Sequence, residues 1–224
     1  MGTAIFTKGA DVSASSNHYF APVETPLVWG NFETDVLRQS RRLTNWGSLA
    51  GTFTLSGIAQ LVAKGIAAAA GTDSRITLGT FTPDAFTLVA LVDVGENAAI
   101  FRHRNIRIST DASKKLQRIM DAGSSNSGIT APSTGAFVVF LNGDSTGHAY
   151  GLLTSTSVHK STSTAANSST TSTFVGGNNQ FGVPVAWAAY GTVFYDRKLS
   201  DNELILVAER LINRARTLGV TVNG

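Results

Sequence analysis

Hydrophobic and polar residues alternate along much of the chain with the two-residue period of β-strands. Short runs with this period are separated by Gly, Pro, Asn and Asp, the residues typical of turns. From residue 51 onward the pattern predicts strands at 52–55, 61–66, 75–78, 86–94, 98–102, 106–110, 114–120, 136–141, 148–153, 174–177 and 185–195. About eleven to fourteen short strands followed by one helix predict an all-β sandwich of two antiparallel sheets.

The first fifty residues are harder to interpret, because Pro22 and Pro26 interrupt an extended passage. The predicted elements are short strands at 5–6, 18–20 and 28–29, and one or two helical turns within 34–42. Trp29 and Trp46 also lie in this segment. Since such large aromatic side chains are mostly buried, we expect the segment to pack on the sandwich.

Four later stretches lack a clean period. Residues 67–70 are alanines, which favour a helix, but glycines flank them. Residues 122–135 predict a loop, and Asn-Gly-Asp at 142–144 predicts a turn. Between 154 and 173, fourteen of twenty residues are Ser or Thr. This composition suits a flexible loop or a solvent-facing pair of strands, and we predict a long edge hairpin.

The end of the chain carries the clearest helix signal. Ser200 and Glu203 have the spacing of a capping box, in which each side chain binds the other residue's backbone N–H. Gly219 is a typical stop. The pattern predicts a helix over 200–218 whose apolar stripe consists of Leu204, Val207, Ala208, Leu211, Ile212, Ala215 and Leu218.

The segment V-F-Y-D-R-K-L-S-D-N-E-L, residues 193–204, joins the last strand to this helix. Together with the glycines at 176–177 before that strand, it resembles the closing segment of laminin-G-like jelly rolls of the concanavalin A-like lectin/glucanase superfamily. The resemblance implies a two-sheet antiparallel jelly-roll sandwich with one C-terminal α-helix, formed by residues 1–224 as a single domain. The motif marks a fold, since members bind glycans or proteins, cleave polysaccharides, or serve as structural parts of virions.

Length and composition agree with one large β domain. The chain has 224 residues, of which 42% are hydrophobic and 15% charged. Because it has no cysteine, disulfides and thiolate-bound zinc are excluded. No signal segment opens the sequence and no apolar run approaches the length of a membrane span. We therefore expect synthesis in a host cytoplasm and no membrane insertion.

The net charge of +3 is mild, but six Lys and Arg residues fall within 102–118 against one acid, Asp111. The cluster could be a nucleic-acid patch or a solvated sheet face. A site for single strands needs aromatic side chains among the basic ones, and none lies in this stretch. We therefore predict no nucleic-acid partner.

Catalytic groups are hard to find. Polysaccharide hydrolysis uses two carboxylates facing each other across the scissile bond. No predicted strand has acids at positions i and i+2, and Asp93 and Glu96 flank Gly95, where a turn is expected. The four histidines are scattered, and no acid cluster resembles a calcium loop. We predict no catalytic residues, no metal and no cofactor.

Sugar binding would need an exposed aromatic ring beside polar groups. Trp187 and Tyr190 follow an amide-rich loop, although both rings could instead cover the core. The candidates for binding a glycan or a protein partner are Asn142, Asp144, Asn178, Asn179, Gln180, Trp187 and Tyr190.

Two strands, 86–92 and 137–141, are apolar on both faces. A sandwich strand with one solvated face should alternate, so something must cover the second face. The terminal helix, residues 67–70 or the first fifty residues could do so within one chain. Otherwise a partner does, which predicts a homo-oligomer or docking on other virion proteins.

These observations together predict a non-catalytic structural and recognition module of a bacteriophage particle. It would be a tail or capsid appendage, located in the virion, that binds protein partners or a host surface glycan. One alternative is a glycan-binding adhesin domain outside a virion. The other is a glycoside hydrolase or lyase of the concanavalin A-like superfamily.

Overall fold

The structure, a computed structural model, describes residues 21–24, 26–32, 42–120, 123–165, 172–178 and 182–223. These residues form two antiparallel sheets packed face to face, with one helix on the outside. The predicted fold class, a two-sheet sandwich with one C-terminal helix, is confirmed. The elements predicted at 5–6 and 18–20 and most of 34–42 lie outside the described residues.

The first sheet has eight strands. They are β1 (Val28–Asn31), β3 (Gln60–Val62), β4 (Gly65–Ala68), β6 (Ala85–Val94), β11 (Phe137–Asp144), β12 (Gly147–Leu153), β13 (Val158–Ser163) and β15 (Trp187–Tyr195). Their order is β13-β12-β11-β6-β15-β4-β3, and β1 also pairs with β15.

The second sheet has seven strands. They are β2 (Thr54–Ser56), β5 (Arg75–Gly79), β7 (Ala99–His103), β8 (Ile106–Thr110), β9 (Lys115–Met120), β10 (Gly123–Thr130) and β14 (Thr173–Gly176). Their order is β10-β9-β8-β7-β14-β5-β2. The predicted hairpin at 98–110 is present as β7 and β8, with Ile100, Ile106 and Ile108 buried between the sheets.

Helix α1 (Asp201–Thr217) begins and ends as predicted. The Ser200 hydroxyl accepts a hydrogen bond from the Glu203 backbone N–H at 3.3 Å, and the Glu203 carboxylate accepts one from the Ser200 backbone N–H at 2.8 Å. The Arg197 guanidinium, together with this backbone bond, lowers the pKa of Glu203 to about 2. At the other end, Gly219 has a positive φ of 72°. No helix in the described part of the chain has the length and apolar character needed to cross a membrane.

Replacing Ser200 by alanine should lower the free energy of unfolding by about 1 kcal/mol, because the first turn loses its cap. Ser200→Thr keeps a hydroxyl at the same position and is the matched control. Chemical denaturation of the three proteins measures the difference. If Ser200→Ala is as stable as Ser200→Thr, the cap contributes nothing.

The strands that are apolar on both faces are covered within the chain. Val89 and Leu91 of β6 and Val138 and Phe140 of β11 form a second buried cluster with α1, on the face of the first sheet that points away from the second sheet. Trp29 belongs to the same cluster, and Trp46 packs against it, as expected for the N-terminal segment. These strands therefore do not require a partner subunit.

Two predicted elements are wrong because strands pair where the local pattern is weak. The single strand expected at 61–66 is a hairpin, in which β3 and β4 flank a turn and Val62 pairs with Gly65. The loop expected at 122–135 contains β10, an edge strand paired with β9. Most side chains of β10 are exposed, so the strand has no hydrophobic period to detect.

The predictions for two polar stretches also differ from the structure. Residues 142–144 are the end of β11, paired with β12, and the turn follows at 145–146. In the Ser/Thr-rich stretch, β13 is an edge strand as expected, but it pairs with β12. The return strand of the hairpin expected over 154–173 would lie largely at 166–171, outside the described residues, and Thr173 belongs to β14 of the second sheet.

Candidate functional site

Tyr190 lies at a β-bulge in β15. Ala189 pairs with Val92 and Gly191 pairs with Leu91, so Tyr190 is the extra residue between them. A bulge of this kind bends the strand and changes the direction of a side chain. Ala189 lies in the core between the sheets, whereas Tyr190 packs against the cluster on the helix side.

Two glycines make room around this bulge. A Cβ added to Gly65 of β4 would lie 2.5 Å from the Ala189 carbonyl oxygen and 3.0 Å from Cδ1 of Tyr190. A Cβ added to Gly191 would lie 2.9 Å from a methyl group of Leu211 in α1. Both glycines therefore allow the Tyr190 ring to lie close to β4 beside the helix.

The half-buried Tyr190 ring forms one wall of a pocket of about 510 Å³ at the C-terminal end of α1, which we call the Tyr190 pocket. It lies on the outer face of the first sheet. Its lining residues are Lys64, Asp93, Thr134, Gly135, Tyr190, Gly219, Val220 and Thr221.

Asp93 and Tyr190 provide the polar groups on the sheet side of the pocket. Val89, Leu91 and Asp93 are every second residue of β6 and share one face of the strand. Since Val89 and Leu91 pack against α1, the Asp93 carboxylate is also on the helix side of the sheet. Burial, followed by the negative charge of Asp93, raises the pKa of Tyr190. Neither the Asp93 carboxylate nor the Tyr190 hydroxyl hydrogen-bonds another side chain or backbone group among the described residues. Both groups are thus available to a ligand.

Lys64 closes the pocket from the turn between β3 and β4. Its ammonium donates a hydrogen bond of 2.8 Å to the Gly219 carbonyl oxygen just after α1. A cation is favoured at the negative end of a helix dipole, so this position is stabilised locally. An ammonium group has three N–H donors, and two remain for other partners.

The Tyr190 pocket combines groups that suit a polyhydroxylated ligand. The aromatic ring offers an apolar surface to C–H groups, and the carboxylate, ammonium and threonine hydroxyls offer hydrogen bonds. Its size lies in the range of small-molecule sites, which is about 300 to 1,000 Å³.

A second pocket, of about 440 Å³, lies at the other end of α1 and contains the predicted candidate Asp144. The Asp144 carboxylate accepts hydrogen bonds from the Thr146 backbone N–H at 2.8 Å and from the Lys198 ammonium at 3.0 Å. Thr146 and then Lys198 hold its pKa well below the ordinary value. No Trp, Tyr or Phe is among the residues of the described chain that line this pocket. It lacks the aromatic surface of the Tyr190 pocket.

Two other candidates are structural residues. Asn142 is 8% exposed, and its amide donates to the Leu199 carbonyl oxygen at 2.7 Å while accepting from the Thr87 hydroxyl at 3.0 Å. It ties β11 to the segment before α1. Trp187 is 5% exposed and donates its indole N–H to the Ser74 carbonyl oxygen at 3.0 Å. Its ring belongs to the core between the sheets and presents no face to a ligand.

The remaining candidates do not join the Tyr190 pocket. Asn178 forms a bridge with Pro184, and its side-chain oxygen is buried. Asn179 and Gln180 lie outside the described residues. The candidates predicted from sequence are therefore spread over several places.

Sequence reasoning placed Asp93 in the strand predicted at 86–94, and β6 does continue to Val94. It did not select Asp93 as a site residue, because the nearest acid, Glu96, lies beyond the expected turn at Gly95. The available signal was one acid at a helix-side position of an otherwise apolar strand. Lys64 and Thr221 gave no such signal, because a hairpin turn and the tail after α1 bring them to the pocket.

Comparison with known proteins supports the fold of the chain and does not assign it to a family. No protein-family model matches the chain, and no curated protein matches its sequence. A mutant of Trypanosoma rangeli sialidase displaying trans-sialidase activity is similar in structure, with a TM-score of 0.60 and 15% identity over 89% of this chain and 38% of that one.

Two neurotoxin structures are also similar. The botulinum neurotoxin serotype D binding domain has a TM-score of 0.57 at 7% identity, over 83% of this chain and 51% of that one. The binding domain of botulinum neurotoxin DC in complex with SialylT has a TM-score of 0.60 at 8% identity, over 84% and 52%. The chain thus spans at most about half of these proteins, and the likeness supports the two-sheet β-sandwich fold.

Proposed function

We propose that this chain is a non-catalytic carbohydrate-recognition module that binds a sugar residue in the Tyr190 pocket. The observation that carries the proposal is the half-buried ring of Tyr190, which lines a pocket together with Asp93 and Lys64. The shared fold of a sialidase and of a neurotoxin binding domain in complex with SialylT supports a glycan as the ligand.

The chemistry of the pocket favours binding over cleavage. Hydrolysis by an acid pair needs a second carboxylate, and Asp93 is the one carboxylate among the described residues that line the pocket. A tyrosine can serve as the nucleophile in sialidases, but a nucleophilic phenolate needs a lowered pKa. The pKa of Tyr190 is raised.

We further propose that the module, a single laminin-G-like domain, belongs to a tail or capsid appendage of a bacteriophage particle. The support is the composition, which is rich in Ala, Gly, Ser and Thr and lacks cysteine. An adhesin domain outside a virion is the alternative. Virion proteins or further copies of this chain are the proposed protein partners, and immunogold labelling of purified particles would test this placement.

Tyr190→Ala should weaken glycan binding at least about tenfold, because loss of the ring removes the main apolar contact, worth about 1.4 kcal/mol or more. A glycan array with neutral and sialylated members identifies the ligand, and calorimetry gives the affinities. Asp144→Asn alters the other pocket and is the control, which should bind as the unchanged protein does.

Two results would contradict the proposal. One is an unchanged protein that binds no glycan. The other is a folded Tyr190→Ala protein that binds as tightly as the parent. Release of reducing ends that Asp93→Asn abolishes would instead identify a glycoside hydrolase.

A further inference from the structure

Arginine side chains line up on the outer face of the second sheet. Arg102 of β7 and Arg107 of β8 are direct partners in the ladder. On its other side, Arg102 pairs with Phe174 of β14. Arg75 of β5 places its guanidinium 4.9 Å from the centre of the Phe174 ring. We call Arg75, Arg102 and Arg107 the arginine row.

Strand alternation shows that the arginine row faces away from the core. The neighbours of these arginines along the strands are fully buried between the sheets. They are Ile76 beside Arg75, Phe101 and His103 beside Arg102, and Ile106 and Ile108 beside Arg107. Because side chains alternate between the two faces of a strand, the arginines point to the opposite face.

The arginine row is a concentration of positive charge. Asp73 pairs with Arg75 at 3.2 Å, and both side chains are more than a third exposed. Burial, then the nearby Arg102 and also Arg75, lowers the pKa of Arg107, while Asp73 acts in the opposite direction. Among the described residues, three guanidinium groups and the carboxylate of Asp73 thus lie close together, and their charges sum to about +2.

The basic stretch at 102–118 explains only part of this surface. Arg118 lies on the buried side of β9, where its guanidinium bonds the Ser163 hydroxyl, and the Lys114 ammonium donates to the carbonyl oxygens of Pro132 and Ser133. Arg75, in contrast, comes from a distant part of the sequence. The fold therefore divides the stretch and completes the row with another strand.

We propose that the arginine row binds a linear anionic polysaccharide that carries carboxylate or sulfate groups, independently of the sugar in the Tyr190 pocket. Guanidinium forks pair with such planar or tetrahedral anions through two parallel hydrogen bonds. Neighbouring strands are about 4.8 Å apart, so the backbones of Arg102 and Arg107 are about that far apart. Arg75 is opposite Gly176, two residues along from Phe174, but its guanidinium lies over the Phe174 ring, next to Arg102 in the ladder. A chain lying across the strands meets all three.

A polysaccharide fits this face better than a single-stranded nucleic acid. Nucleic-acid sites of that kind stack bases on exposed aromatic rings. Phe174 is the aromatic residue in the ladder next to Arg102, but it is 7% exposed and lies under Arg75. The ring supports the guanidinium and offers no stacking surface.

Four probes test the proposal: heparin with sulfate groups, polygalacturonate with carboxylates alone, neutral dextran, and a single-stranded DNA oligonucleotide. We expect the protein to bind at least one of the two acidic polysaccharides, to ignore dextran, and to bind more weakly at higher salt. Arg102→Gln/Arg107→Gln should lower the affinity at least about tenfold. Lys160→Gln/Lys198→Gln removes the same charge from β13 and from the segment before α1, away from the second sheet, and should change the affinity less than twofold.

Tyr190→Ala should keep this binding, which separates the arginine row from the Tyr190 pocket. Arg102→Lys keeps the charge without the fork and should bind with intermediate affinity, even if the double glutamine variant does not fold. The proposal is overturned if neither acidic polysaccharide binds or if both double variants lose affinity equally. It is also overturned if the oligonucleotide binds more tightly than either polysaccharide.

Discussion

Between pH 6.5 and 5 the free energy of unfolding should fall by about 3 kcal/mol, about half of it from His103, because folding keeps two buried histidines neutral. His103 is fully buried and contacts the Thr173 hydroxyl through Nδ1 at 2.8 Å. Its ring lies between Phe86 and Phe194, at centroid distances of 4.3 and 5.1 Å. Burial, followed by the charge of Arg104, lowers the pKa of His103 to about 3.

The direction follows from the protons bound in each state. Below about pH 6.5 the unfolded chain protonates this histidine and the folded chain does not, so acid favours unfolding by about 1.4 kcal/mol per pH unit. The loss continues until the pH approaches the folded pKa. His148, whose pKa burial and Arg118 lower to about 4, adds a loss of similar size down to pH 5, and its contribution levels off at a higher pH than that of His103. Above about pH 7 both histidines are neutral in the folded and in the unfolded chain, so neither makes the stability depend on pH.

Urea denaturation at pH 7.5, 6 and 5 measures this dependence. His103→Asn keeps a polar group near Thr173 that cannot be protonated, so its stability should change about half as much between pH 6.5 and 5, although it is lower overall. His159→Asn, at an exposed position of β13, should keep the full dependence. Equal pH dependence in His103→Asn and the unchanged protein would show that His103 is not the source.

The second large effect is the loss of stability expected when the packing of α1 on the outer face of the first sheet is disturbed. Leu204 is fully buried against the first sheet, whereas Leu206 on the same helix is 46% exposed. Leu204→Ala should cost about 2 to 5 kcal/mol, since the side chain is lost from a packed layer and leaves a cavity. Leu206→Ala should change stability by less than about 0.5 kcal/mol.

Light scattering of the same variants tests whether the helix replaces a partner subunit. If Leu204→Ala loosens α1, the apolar residues Val89, Leu91 and Phe140 become exposed, and the variant should self-associate while Leu206→Ala behaves as the parent. Equal stability losses in the two variants would contradict the packing described for α1.

The parts of the fold that sequence patterns predicted well are those where one face is buried. Strand β6 and the β7–β8 hairpin agree with prediction within a residue or two, because their side chains alternate or form long apolar runs. The helix was predictable because its N-terminal capping box, its apolar stripe and the glycine after its last turn all indicate the same element. Strand β10 was missed because an exposed edge strand has no buried face and hence no hydrophobic pattern.

In other parts of the chain, pairing between distant strands determined the structure against the local sequence pattern. Asn142 precedes a glycine, a typical turn pair, yet the ladders to β6 and β12 keep it extended. For the site, Tyr190 and Trp187 were both candidates. Strand alternation places residues 187 and 190 on opposite faces, but which face the second sheet covers depends on how β15 packs in the fold, which no local pattern shows.

The most direct test of the glycan site is a nuclear magnetic resonance titration of the labelled protein with the strongest ligand from the array. We predict shifts in the amide signals of Asp93, Tyr190 and Thr221, and none in those of Gly147 beside Asp144 or of Arg102 on the second sheet. Shifts confined to Gly147 or Arg102, with Tyr190 and its neighbours unchanged, would contradict the assignment of the Tyr190 pocket as the glycan site.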